Sequence, residues 1–253
     1  MNNSIHRVNH EIKQRRLQVL RVTDLTPRMR RITLGGPELA GFVSLGSDDH
    51  IKLLFGVTAA EQAAIDARQS GRDGGARPTM REYTPRRYDL ASGELDIDFV
   101  LHGDGPASTW AAQAEPGQVL NIAGPRASLV VPDIFDSYLL IGDETAIPAI
   151  ARRLHELPAG RRVLALIQIA DDQERQPLPS QAEVEVIWVQ RDKQDLLAVI
   201  SELPLPEGEL YSWVALEKSL TRQAKTLLLE KGVHEDALKA AAYWRADGST
   251  DDE

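Results

Sequence analysis

The chain of 253 residues contains no cysteine. That excludes disulfides, a catalytic thiol, thiolate zinc sites and cysteine-bound iron–sulfur clusters. Its six histidines show no HExxH or other close metal-ligand spacing, so no protein-bound metal is expected. No apolar run approaches the roughly 18 residues of a membrane-crossing helix. The longest runs, such as Val163 to Ala170, are the size of strands. Met1 to His10 carries no apolar stretch of the secretory kind, and a soluble, cytoplasmic protein is expected. No GxxxxGK(S/T) phosphate loop occurs. Basic residues are in the minority, with 29 Lys and Arg against 38 Asp and Glu and a net charge of −9, which argues against a nucleic-acid-binding face.

What remains is ordinary globular composition, 42% hydrophobic and 26% charged, on a chain long enough for one large domain or two modest ones. The first half reads as short strands and turns. Arg16 to Val22, Arg28 to Leu34, His50 to Val57, Met80 to Tyr88, Glu94 to His102, Gln118 to Ala123 and Ser128 to Val131 are strand candidates. Asp89 to Gly93 looks like a hairpin turn, Ala59 to Gln69 has room for one or two helical turns, and Gly71 to Pro78 reads as a flexible loop. This spacing predicts a small antiparallel β-barrel. The second half alternates. Strands at Tyr138 to Ile141, Val163 to Ala170, Val184 to Val189, Tyr211 to Leu216 and Ala241 to Trp244 are interleaved with helices at Ala146 to Leu157, Leu196 to Ile200 and Ser219 to Lys231. That rhythm predicts a parallel sheet with helices on its faces. The expected division is 1–134, 135–246 and an acidic, frayed tail at 247–253.

Three motifs stand out. His102-Gly-Asp-Gly105-Pro-Ala-Ser108 ends a strand and opens a helix, with Pro106 at the first helical position. The amides of Ala107, Ser108 and Thr109 would point outward, which suits a phosphate through hydrogen bonds and the helix dipole, although the same residues also suit a plain capped turn. The near-GxGxxG spacing is not a Rossmann fingerprint, because Pro116 to Ile122 reads as a turn and another barrel strand, with no parallel strand and acidic partner behind it. Arg81-Glu-Tyr83-Thr84-Pro85 places a guanidinium and a flat ring on one strand face, suited to phosphate and a planar ligand or, equally, to an edge-protecting basic cluster. Gly142-Asp143-Glu144-Thr145 follows the first strand of the parallel half, where such sheets bind ligands and where every βα unit also has a loop.

In that order these motifs resemble the siderophore-interacting protein family of flavin-dependent ferric-siderophore reductases, and within it the NADPH-dependent ferric-chelate reductases. The stretches that carry the likeness are Arg81 to Pro85, Ile97 to Trp110, Pro116-Gly117, Ala123 to Pro132, Gly142 to Ile150 and Ala240 to Trp244. The resemblance implies a ferredoxin-reductase-like layout: an N-terminal antiparallel FAD-binding β-barrel, then a parallel-sheet α/β nicotinamide-binding domain. It assigns Arg81, Tyr83, Thr84, His102, Gly105, Ala107, Ser108, Tyr243 and Trp244 to FAD. Gly142, Asp143, Glu144, Thr145, Ala215 and Glu217 fall to NADPH, and Lys52 and Arg126 to the ferric chelate. Ala127 departs from the family's usual glycine, which bears on the turn beside Arg126.

The implied activity is reduction of Fe(III) in ferric siderophores by NADPH through FAD, with no catalytic side chain and no protein ligand to iron. Fe(II) is held less firmly by hard anionic oxygens, so reduction frees the metal. The net charge of −9 does not forbid an anionic substrate, since screening over about 8 Å lets a local patch dominate. Arg28, Arg30 or Arg31 are further candidates for that patch, and Arg175, Arg191 or Lys193 for the 2′-phosphate of NADPH. Two other readings stay open: a ferredoxin-reductase-like enzyme serving a protein electron partner, and a siderophore-binding protein without turnover.

Overall fold

The computed structural model describes residues 4–69, 71–72, 75–103 and 105–246. The acidic tail and part of the expected 71–78 loop lie outside them. Two compact units follow one another, Ser4–Val131 and the stretch from Pro132 onward.

The first unit contains β1 (His6–Asn9), β2 (Gln14–Thr26), β3 (Met29–Gly35), β4 (Ile51–Phe55), α1 (Ala59–Gln69), β5 (Thr79–Tyr83), β6 (Arg87–Asp89), β7 (Glu94–Val100), α2 (Pro106–Ala112), β8 (Val119–Ala123) and β9 (Ala127–Val130). Seven of these strands form one sheet in the order β5-β4-β8-β2-β3-β7-β6, with antiparallel neighbours. Alternate residues point inward: Leu17 and Val19, Ile32 and Leu34, Ile51 and Leu53, Ile97 and Phe99, Leu120 and Ile122 make the core. The sheet curls until Tyr83 of β5 lies 4.5 Å, ring to ring, from Phe99 of β7. Trp110 of α2 packs on Phe55 and Phe99, at 6.1 and 5.7 Å, and so fastens the helix to the barrel.

Three local expectations change. The single strand expected from Met80 to Tyr88 is two, β5 and β6, at opposite ends of the strand order. Pro85 has no N–H for a ladder bond, so Thr84 to Arg86 carry the chain from one sheet edge to the other. Helix α1 runs for 11 residues, because Thr58 and Glu61 form a reciprocal capping box: Thr58 N–H donates to Glu61 Oε2 at 2.7 Å and Glu61 N–H to Thr58 Oγ1 at 3.2 Å. β1, not anticipated, pairs antiparallel with β9 in a separate ribbon. Ala127 starts β9 with no left-handed backbone; the positive φ of that turn, +96°, falls on Gly124. After α2 the chain enters β8, antiparallel to β2 and β4, so no Rossmann unit exists there.

The second unit contains β10 (Ser137–Gly142), α3 (Ile147–Glu156), β11 (Arg162–Ile169), β12 (Glu183–Gln190), α4 (Leu196–Glu202), β13 (Leu210–Glu217), α5 (Lys218–Glu230) and β14 (Leu238–Trp244). Its five strands are all parallel, in the order β12-β11-β10-β13-β14. Ile147, Ile150, Ala151 and Leu154 are the buried stripe of α3, and Pro148 sits in its first turn, where its missing N–H costs nothing. Trp213 is buried, while Trp188 on the edge strand β12 is half-buried. Among the described residues no helix is long and apolar enough to cross a membrane.

Candidate functional site

On the barrel, β5 pairs with β4 so that Arg81 faces Leu53 and Tyr83 faces Ile51, while Glu82 faces Lys52. Arg81 and Tyr83 therefore share the face of the apolar core, and Lys52 lies on the other. Burial pushes the Tyr83 phenol upward and the Arg81 cation opposes this, so the ring stays neutral at physiological pH. Thr84 is buried at the end of that strand. Lys52 Nζ is 3.9 Å from Glu82 Oε1, and His50 Nε2 is 3.7 Å from the same oxygen, so the basic position has an exposed carboxylate beside it. Arg126 is exposed, in the turn after the cis Gly124-Pro125 bond, and its carbonyl accepts the His10 amide at 2.9 Å.

At the start of α2, Gly105 is the N-cap and offers no side-chain bond to the first-turn amides, and the first turn carries no acidic residue. A Cβ built on Gly103 or Gly105 would meet nothing within 4 Å. Ser108 is buried, and its Oγ accepts the His102 amide at 2.9 Å, tying the exposed segment that follows β7 to the helix. The Thr109 amide, expected to point outward, is instead taken by the Gly105 carbonyl at 2.8 Å, which leaves those of Ala107 and Ser108; with a flat Tyr83 ring on the same barrel they suit a ligand with a diphosphate and a planar ring system. Two other arginines are committed elsewhere. Arg30 binds Asp24 and the carbonyls of Ala111 and Ala112, and Arg31 binds Asp98 at 2.7 Å.

On the parallel sheet, Gly142 ends β10 where α3 comes close. A Cβ there would collide with Ala146 Cβ and lie 3.3 Å from the Ala215 carbonyl. Asp143 is only 2% exposed. Its Oδ1 accepts from Thr145 N–H at 2.9 Å and Thr145 Oγ1 at 2.6 Å, and its Oδ2 accepts from the Trp244 indole at 2.7 Å. Burial raises its carboxyl above the usual range, with those donors pulling the other way. Glu144 pairs with Arg191 at 2.6 Å, so one cation anticipated for the 2′-phosphate is held against the loop anticipated for the nucleotide. Arg175 is paired instead with Asp172 in its own turn. Ala215 is buried beside Gly142, in register with it. Glu217 turns its carboxylate onto the amides of Ser219 and Leu220, as the N-cap of α5. Tyr243 packs edge-on against Trp213, at 5.8 Å and 83°.

The structure thus gathers Asp143, Thr145 and Trp244 into one cluster, and Glu144 with Arg191 into another. Neither pairing had a sequence signal, since 101 positions separate Asp143 from Trp244.

An antiparallel barrel with a helix opening at Pro106, followed by a five-stranded parallel unit with its loops at the carboxyl ends, is a ferredoxin-reductase-like layout. The chain belongs to the siderophore-interacting protein family: residues 18–129 match the siderophore-interacting FAD-binding domain, and residues 135–247 match the siderophore-interacting protein model. It is 36% identical over 245 residues to an NADPH-dependent ferric-chelate reductase of Escherichia coli, covering 95% of this chain and 96% of that one. It is 31% identical to a ferric vibriobactin reductase of Vibrio cholerae, covering 97% and 93%. Among solved structures, a siderophore utilization protein from T. fusca superposes with a TM-score of 0.86 at 33% identity, covering 97% of this chain and 98% of that one.

Proposed function

We propose that this protein is an FAD-dependent oxidoreductase that uses NADPH to reduce Fe(III) in ferric siderophores and related chelates, releasing Fe(II) in the cytoplasm. Residues 1–134 would hold FAD and residues 135–246 the nicotinamide nucleotide. The observation that carries this reading is the likeness, over 95% of the chain, to a named NADPH-dependent ferric-chelate reductase.

FAD, when bound, would supply what no side chain can, the conversion between two-electron transfer from NADPH and one-electron reduction of Fe(III). The chain's own residues bind and orient. Arg81 offers its guanidinium to phosphate oxygens, and Tyr83 and Thr84 line the flavin side. The amides of Ala107 and Ser108 behind Gly105 would receive the diphosphate, and exposed His102 borders the adenosine. Gly142 to Thr145, with Ala215 and Glu217 on the next strand, would seat the nicotinamide nucleotide, and Tyr243 and Trp244 would lie near the flavin ring. Lys52 and Arg126 draw the anionic chelate by local charge. No side chain acts as acid, base or iron ligand in this scheme.

The test is an anaerobic assay of the FAD-loaded protein with NADPH, a ferric siderophore and a chromogenic Fe(II) trap. Two Fe(II) should appear per NADPH consumed, since the donor gives two electrons and each iron takes one. A protein that retains no flavin, or that oxidises NADPH without any Fe(II) appearing, would overturn the reading. Faster transfer to a protein acceptor than to any small ferric chelate would favour the electron-partner alternative.

A further inference from the structure

The hydrogen bond from Trp244 to Asp143 joins two ends of the parallel unit. Asp143 follows β10 and Trp244 ends β14, and β13 lies between those strands. To reach Asp143 the indole must cross the carboxyl edge of β13, where Trp244 is in register with Glu217. Ligands of parallel α/β sheets bind along that edge.

Trp244 is nonetheless 40% exposed. A tryptophan at a strand end, partly open to solvent, would ordinarily sample several rotamers. Here one bond to Oδ2 of a buried carboxylate holds it, and the other oxygen of that carboxylate, Oδ1, is itself fixed by two donors of Thr145. The ring is therefore restrained at its edge, with aromatic surface left uncovered.

We infer that Asp143 is a positioning residue that fixes the Trp244 indole across the sheet edge as one wall of the seat for the nicotinamide ring. This rests on the reading that the unit binds NADPH. The oxidised ring is a cation, and indole offers the strongest cation–π face among the side chains. Beyond its place in the loop that seats the nucleotide, Asp143 would act through Trp244, on the ring end of the nucleotide and not on its adenosine end.

The test uses FAD-loaded full-length protein and calorimetric titration with NADP+ and with 2′,5′-ADP, which keeps the 2′-phosphate but lacks the nicotinamide. Asp143→Asn leaves one oxygen for Thr145 and turns an NH2 toward the indole N–H, and Trp244→Phe removes the donor. Each should weaken NADP+ binding roughly three- to ten-fold, as expected for one lost hydrogen bond, and leave 2′,5′-ADP binding unchanged. The double variant should bind NADP+ no more weakly than the weaker single variant, because both remove the same link. Parallel loss of both ligands, additive losses, or no change in NADP+ binding would each overturn the inference. If Asp143→Asn does not fold, the contrast between the two ligands in Trp244→Phe decides. Wild-type protein that binds neither probe would overturn the NADPH reading itself.

Discussion

The hydroxyl of Ser108, in the first turn of α2, accepts the amide N–H of His102, two residues past the end of β7, at 2.9 Å. One buried side chain thus sets the distance between the strand end and the helix start whose amides we assign to the FAD diphosphate. Ser108→Ala should weaken FAD binding about five-fold through loss of that bond. Ser108→Asp should weaken it more, by placing a carboxylate beside phosphate. Flavin fluorescence titration of the apoprotein measures both; equal affinity in Ser108→Asp and wild type would refute the assignment.

Lys52 and Glu82 face each other across β4 and β5. Lys52→Ala and Arg126→Ala should raise KM for an anionic ferric chelate several-fold at low salt, with flavin content unchanged. Glu82→Gln should lower it, about two-fold, because it removes the neighbouring negative charge; exposed pairs contribute little, so the effect is small. All three effects should shrink as ionic strength rises. Steady-state kinetics at two salt concentrations checks the set.

Gly142 leaves no room for a Cβ between β10 and α3. Gly142→Ala should cost roughly 1–3 kcal/mol by overpacking. It should also raise KM for NADPH, since the Asp143 to Thr145 loop shifts with the helix start. Urea denaturation and nucleotide kinetics report the two effects separately.

Glu217 caps α5 through two amides. Glu217→Ala should cost about 1 kcal/mol of stability, and Glu217→Ser, another good N-cap, should recover most of it. If KM for NADPH recovers with stability in Glu217→Ser, the carboxylate serves the helix. If KM stays raised, it also touches the nucleotide.

Glu94 accepts hydrogen bonds from Arg21 and Arg87, which lower its pKa from the ordinary 4.5 to about 2. A carboxylate lowered in the folded state adds stability above its unfolded pKa and loses it as pH falls toward the folded one. The stability gap between wild type and Glu94→Gln should therefore be widest near neutrality and close between pH 4.5 and 2. Denaturant midpoints at pH 7, 4 and 2 test this, and a gap that does not change with pH would exclude it.

By itself the sequence determined the two-part architecture, because short strand-like runs spaced by turns in the first half and strand–helix rhythm in the second are local patterns read from neighbouring residues. It also determined the helix start at Pro106 and the loop after β10, since proline and glycine act on their own backbone. The tertiary structure decided what depends on residues far apart in the chain. It broke Met80 to Tyr88 at Pro85 and sent the pieces to opposite sheet edges; it paired β1 with β9; it put Glu82 beside Lys52 and drew Arg30 and Arg31 into barrel contacts. It alone joined Trp244 to Asp143 and Arg191 to Glu144. Side-chain hydrogen bonds of this kind follow from strand order and register, which no local pattern in the chain encodes.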